Sequence, residues 1–327
     1  MILLWGVPGD APLEAVRAAL QQLGADFRLL DQRYAAGMEI TFDVRGRGGL
    51  CGKIVEPEGE IDLSHVGSAY VRPLETSKAC PGLEADDPAY LRAVTVDASL
   101  VAWADLSSAT VVNRPVAMAS NNSKPYQLRL IADAGLAVPD TLVTTEESAV
   151  RRFHRRHGTI IYKSVSGVRS IVSRLTSAQS EALVDVANCP TQFQQYIPGT
   201  DVRVHVAGSA VLATEIVSTA DDYRYATRVN ANVAMAQVEL PNEIAASCRC
   251  VVRRLGLAVA GIDFRRSPEG KWYCLEVNPS PGFTYFEAAT GQPIAAAVAQ
   301  FLMSEDAQQP LCWSQLPTEQ TPLTVEA

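Results

Sequence analysis

Asp263, Glu276 and Asn278 are the residues of this chain whose types and spacing point most directly to chemistry. Val259 to Arg265 reads as a strand, Ser267-Pro268-Glu269-Gly270 as a turn, and Trp272 to Asn278 as the returning strand. Side chains alternate between the faces of a strand. Glu276 and Asn278 therefore share one face, opposite Leu275 and Val277. Asp263 and Arg265 share the corresponding face of the partner strand, opposite Ile262 and Phe264. A hairpin centred between Glu269 and Gly270 sets Asp263 directly across from Glu276. Adjacent carboxylates repel unless a cation lies between them, and three oxygen donors suit Mg²⁺ carrying nucleotide phosphates. The competing reading is a solvent-facing polar edge. The turn-rich Val277-Asn278-Pro279-Ser280-Pro281-Gly282 disfavours it, because a rigid segment there fixes the last ligand.

Cations that could balance such a site lie upstream. Lys163 is the only charge in Thr159-Ile160-Ile161-Tyr162-Lys163-Ser164, so it must meet an anion or snorkel to water. The loop after it offers Ser166 and Gly167, small residues that let backbone amides approach phosphate. Lys124 opens a helix that follows Asn113-Arg114-Pro115. Phe193-Gln194-Gln195-Tyr196-Ile197-Pro198-Gly199 reads as a strand broken at Pro-Gly, suited to presenting Gln195, Tyr196 and Ile197 to an adenine edge. Alternation then puts Asp201, Arg203 and His205 on one face. The planar fork of Arg203 suits a phosphate or a substrate carboxylate, with a surface ion pair as the equal alternative.

These residues need elements to hold them. Ile2 to Val7, Leu13 to Leu23 and Asp26 to Leu30 read as a βαβ opening, with Gly24 as the helix stop. From Glu39 to Val71 the period shortens between glycines, which suggests antiparallel strands before a return to the sheet at Ala69 to Arg72. A helix over about Asn122 to Ala134 ends at Gly135, and Pro293 starts a last helix with Ile294, Val298, Phe301 and Leu302 on one stripe. The expected division is a lead-in domain over 1–112 and a second module over 113–303, split into lobes at 190/191. A flexible tail is expected over 304–327.

Several function classes drop out. A net charge of −8 argues against a general nucleic-acid binder. No apolar run approaches the ~20 residues that span a bilayer, and the apolar start reads as a buried strand rather than a signal peptide. The 7 cysteines are odd in number and without a CxxC pair, so they are expected to be reduced in a cytoplasmic protein. The segment 45–53 lacks the spacing of a phosphate loop and of a dinucleotide fingerprint. Cys248 and Cys250 fall two apart in a helical pattern and point away from each other, and Arg151, Arg152, Arg155 and Arg156 read as a solvated helix face.

The ordered set Asn-Ser-Lys-Pro, Ala-Gly-Leu-Ala-Val-Pro, the strand lysine, Gln-Gln-Tyr-Ile, Asp-Val-Arg, Gly-Ile-Asp-Phe and Glu-Val-Asn-Pro resembles the ATP-grasp superfamily. The likeness is closest to its RimK-like branch and covers roughly residues 110–303. It implies an ATP-grasp fold of mixed α/β and α+β class, in which a lead-in α/β domain precedes two α+β lobes that clamp ATP. It also implies that Lys124 and Lys163 contact ATP phosphates, that Gln195 to Ile197 line the adenine pocket and that Asp201 lies near the ribose. Asp263, Glu276 and Asn278 would bind Mg²⁺. Arg203 and Arg228 would stabilise the transferring phosphate, and Asn230, in an Arg-x-Asn segment, is a further candidate. Two positions depart from the pattern. Gln195 stands where many relatives carry glutamate, and Val233-Ala234 stand where a glycine pair usually follows Arg-x-Asn. Ile61-Asp62-Leu63-Ser64-His65-Val66 followed by Tyr70-Val71-Arg72-Pro73 is similar, more loosely, to the lead-in domain of graspetide (microviridin-type) peptide ligases.

The expected activity is ATP-dependent ligation of a carboxylate to an amine or hydroxyl through an acyl phosphate, with ADP and phosphate released. The acceptor stays open among amino acid, short peptide and precursor peptide, and a homo-oligomer is equally open. Two rivals remain at this point: an ATP-binding regulatory or scaffolding protein on the same fold, and a phosphotransferase that stops before ligation.

Overall fold

A computed structural model describes residues 1–44, 50–165, 172–176, 183–218 and 232–304. Ser166, Gly167, Arg228, Asn230, the glycine-rich segment 45–49 and the expected tail from 305 lie outside the described residues.

The N-terminal part is built on β1 (Ile2–Gly6), α1 (Ala11–Gln22) and β2 (Phe27–Asp31), followed by β3 (Glu39–Val44), β4 (Leu50–Glu56) and β5 (Gly59–Asp62). Then come β6 (Ser68–Arg72), α2 (Pro88–Leu106) and β7 (Thr110–Val112). The order β2-β1-β6-β7 is parallel throughout, while β3-β4-β5 form a separate antiparallel sheet. Every residue of β1 is buried, as a parallel strand covered on both faces should be. Asp10 caps α1 by accepting from the Leu13 amide, and Pro12 sits in its first turn. The long α2 was not legible as a helix. Its apolar residues run all round it: Val96, Leu100 and Trp103 enter the core, while Leu91, Val94 and Leu106 face solvent.

The second sheet follows α3 (Lys124–Asp133) and comprises β8 (Thr141–Thr144), β9 (Ile160–Ser164), β10 (Ser173–Arg174) and β11 (Thr191–Gln195), with α4 (Glu147–His157) packed beside it. Its order is β10-β9-β11-β8. The expected lobe boundary at 190/191 therefore moves: β11 pairs with β8 and β9, so the chain leaves this sheet only after Gln195. The four arginines of α4 are exposed and Arg151 pairs with Glu147 one turn away, in keeping with a solvated face.

The third sheet has the order β14-β13-β12-β15-β16 and is antiparallel. Its strands are β12 (Thr200–Ala207), β13 (Ala210–Ser218), β14 (Val233–Val238), β15 (Val259–Arg266) and β16 (Trp272–Asn278). Helix α5 (Asn242–Arg254) covers it with Cys248, Val251 and Val252 against Val204, Ile262 and Val277. Cys248 is buried and Cys250 only half-buried. Burial pushes the Cys248 thiol up to about 12.

Two last helices, α6 (Thr284–Thr290) and α7 (Ile294–Met303), return to the N-terminal sheet. Ile294, Val298 and Leu302 share one buried cluster with Leu4, Leu13, Val16 and Leu20, and Phe283 and Phe286 belong to it too. The Ser68 hydroxyl donates to the Leu302 carbonyl across this junction at 2.7 Å. The first and third sheets thus share a core, whereas the second has its own around Val150, Ile160, Leu183 and Phe193. Among the described residues no helix is long and apolar enough to cross a membrane.

Candidate active site

The hairpin of β15 and β16 brings Asp263 opposite Glu276 and Gly261 opposite Asn278. The register is the expected one, reached by a different route. Beyond Asp263 the pairing slips by one, to Phe264 with Cys274 and Arg265 with Tyr273, so the turn centres on Glu269. Leu275 is the extra residue of a β-bulge. It leaves the core face expected for it and lines the cleft with Asp263 and Glu276, while Cys274 takes the core position and is fully buried. Val277 stays in the core as alternation requires.

Each carboxylate has a cationic partner. Arg203 lies opposite Asp263 in the β12–β15 register, and its Nη1 donates to Oδ1 at 2.7 Å. Lys124, at the start of α3, pairs with Glu276. Both cations are almost buried, at 6% and 9% side-chain exposure. The fit around Arg203 depends on Gly261. A Cβ built at that glycine would lie 2.1 Å from Nη2 and 2.5 Å from Cζ of Arg203. Gly261→Ala is therefore expected to lever the guanidinium off Asp263 and to lower turnover as far as Arg203→Ala does. Parallel kinetics of the two variants check this, and a fully active Gly261→Ala enzyme would show that Arg203 has room elsewhere. Arg203 Nε also faces His205 Nε2 at 3.4 Å. Burial, with the Arg203 charge second, holds the His205 pKa well below its usual value, so this imidazole stays neutral.

The cleft joins the second and third sheets. Ile161, Lys163, Gln194 and Gln195 line it from the second, Tyr196 and Ile197 from the connection, and Asp201, Asp263, Leu275 and Glu276 from the third. Lys163 is 8% exposed and Gln194 donates to Thr141 Oγ1 at 3.0 Å. Most of the described residues singled out in the sequence thus meet in one place. Lys124 and Arg203 reach it through their carboxylate partners. Asn278 stands at the end of β16, where its Oδ1 accepts from the Ser280 amide at 2.9 Å; a second lone pair remains for another partner.

Other residues at the cleft were not singled out. Arg265 grips Asp201 with two hydrogen bonds of 2.8 Å and donates to the Ile197 carbonyl at 3.3 Å. Its shared face with Asp263 was the available signal. Arg174 donates to the Tyr196 hydroxyl at 2.8 Å and lies 4.2 Å above its ring. Asn113 donates to the carbonyls of Val259 and Pro279 at 2.6 and 2.5 Å, and Arg72 donates to Ser280 at 2.9 Å. Both tie the segment after Asn278 to the N-terminal part.

Two carboxylates and an amide oxygen are hard donors. Among the described residues no group of three His, Cys, Asp or Glu side chains forms a metal cage. That combination fits Mg²⁺, which prefers one or two carboxylates together with substrate phosphates to an all-protein cage. With Lys124, Lys163 and Arg203 close by, the arrangement could neutralise a polyphosphate.

Comparison with known proteins shows the family. A family model described as the RimK-like ATP-grasp domain matches residues 119–302. A probable alpha-L-glutamate ligase of Photobacterium profundum is 26% identical over 201 residues, 58% of this chain and 66% of that protein. Its counterpart in Histophilus somni is 29% identical over 194 residues, 56% of this chain and 64% of its own. The match thus spans just under two thirds of the length of these two relatives. Over nearly the whole chain, the structure is similar to the ATP-grasp ligase PsnB complexed with a phosphomimetic variant of its minimal precursor, Mg and ADP. The TM-score is 0.77 at 28% identity, covering 94% of this chain and 98% of that one. The macrocyclase MdnC of Microcystis aeruginosa, bound with its precursor peptide MdnA, shares the fold with a TM-score of 0.75 at 20% identity, covering 93% and 99%.

Proposed function

Because the chain belongs to the RimK-like ATP-grasp family, we propose that it is an ATP-dependent ligase. It activates a carboxylate as an acyl phosphate, passes the acyl group to an amine or hydroxyl, and releases ADP and phosphate. The observation that carries this reading is the Asp263–Glu276 pair, set in a cleft that also holds Lys163 and the segment Gln195 to Ile197.

In this reading Gln195, Tyr196 and Ile197 take the adenine, Asp201 the ribose side, and Lys163 and Lys124 the phosphates. Asp263, Glu276 and Asn278 hold Mg²⁺, which when bound offsets charge on the phosphates. Arg203, with Arg228, faces the transferring phosphoryl group, where a fixed guanidinium gives its largest effect because it need not reorganise. Ser166, Gly167 and Asn230 complete the nucleotide contacts. The acceptor and carboxylate belong to a peptide. Support for that comes from PsnB, complexed with its minimal precursor and similar over nearly the entire chain.

Product analysis tests the chemistry. ADP and phosphate should form only when peptide carboxylate and acceptor are both present. AMP and pyrophosphate would mean an acyl adenylate and overturn the mechanism. Tight ATP binding without turnover on any peptide would support a regulatory role instead.

A further inference from the structure

We propose that Gln127 is a positioning residue for the candidate metal ligands on β16, holding Glu276 and Asn278 in place by clamping both backbone polar groups of Val277 between them. The inference rests on the metal role proposed above for those two residues. β16 is the edge of its sheet, so alternate backbone groups along it face away from β15. At Val277 those groups are buried and face α3 rather than water. An edge strand so placed needs a substitute for its missing neighbour, because orphaned backbone groups are costly. Gln127 supplies it: its Nε2 donates to the Val277 carbonyl at 2.7 Å, and its Oε1 accepts from the Val277 amide at 3.1 Å. Gln127 is 2% exposed.

The placement gives this clamp more than a structural role. Val277 lies between Glu276 and Asn278, and a displacement of its peptide moves both side chains together. Lys124 sits three residues before Gln127 on the same helical face and engages the Glu276 carboxylate. One turn of α3 therefore delivers a cation to the side chain of Glu276 and a two-point hold to the adjoining backbone. Ligand-supporting contacts of this kind set metal affinity, since a ligand held loosely must be reordered whenever the ion binds.

The test uses the full chain and Mn²⁺ as a paramagnetic probe in the presence of ADP. Four proteins are compared: wild type, Gln127→Met, Glu276→Gln and the double variant, each also melted without ligand. Gln127→Met is expected to weaken Mn²⁺ binding about tenfold, the lower end for such a supporting residue. It should leave ADP binding in EDTA unchanged. In the Glu276→Gln background it should add little, because it acts through Glu276. Gln127→Asn keeps an amide but is a methylene too short to span both groups. It should lose Mn²⁺ affinity with a smaller fall in melting temperature, and so keeps the test open if the methionine variant folds poorly. Early melting with wild-type Mn²⁺ affinity, or fully additive effects of the two substitutions, would reduce Gln127 to an edge-strand filler and overturn the proposal. Unchanged Mn²⁺ affinity in Glu276→Gln alone would instead sink the metal reading on which it depends.

Discussion

Glu276→Gln is expected to cut ATP turnover by about a hundredfold or more, the scale of losing one charged group aimed at the reacting centre. The melting temperature should move by only a few degrees. Glutamine is chosen over alanine because of Lys124. That cation is only 9% exposed and pairs with Glu276. Alanine would strand it, and removing one partner of a buried pair costs roughly 3–5 kcal/mol. The amide keeps an acceptor at the same place while removing the charge. An ADP-release assay across a Mg²⁺ titration, with a parallel thermal melt, measures both effects. Wild-type turnover at saturating Mg²⁺ would take this hairpin out of the mechanism.

Lys163→Met separates nucleotide binding from folding. Lys163 is 8% exposed and lines the cleft from β9, opposite Gln192 of β11. If it meets phosphate, the substitution should weaken Mg-ATP binding by about 1.5–3 kcal/mol, the range for a hydrogen bond to a charged group. A ligand that binds only the folded state raises stability by linkage, so the shift of the melt on adding Mg-ATP reports this directly. Wild type should show a clear upward shift and the variant a much smaller one. A variant that melts early yet keeps the full ligand-induced shift would identify Lys163 as a structural residue and misplace the phosphate site.

The centre of the site was legible because it obeys a short-range rule. Alternation and a turn of known residues are enough to bring Asp263 across from Glu276. The bulge at Leu275 was not, because one extra residue leaves the residue types unchanged and reveals itself only in the pairing. Helix α2 escaped for the opposite reason: an apolar surface on all sides has no period to detect. The membership of β11 depends on which strands it meets, and its own residues do not record that. The same holds for Gln127, Asn113, Arg72 and Arg265. Each is an ordinary polar residue until the fold brings it against a backbone group or acid far away in the chain. Contacts of that kind are a property of tertiary structure, beyond the reach of local pattern.

The cluster that joins Leu4, Leu13 and Leu20 to Ile294, Val298 and Leu302 makes the first strand and helix and the last described helix a single mechanical part. In the language of tools, the first and third sheets form an anvil, and the second sheet, with its separate small core, is the jaw. Asp263, Glu276 and Arg203 are bolted to the anvil, and Lys163 rides on the jaw. The spacing of the carboxylates is therefore set within one sheet, and their distance from the lysine by how the second sheet sits against the third. The two halves of the charge arrangement are thus set by different parts of the machine: one by the core of the anvil, the other by the separate core of the jaw.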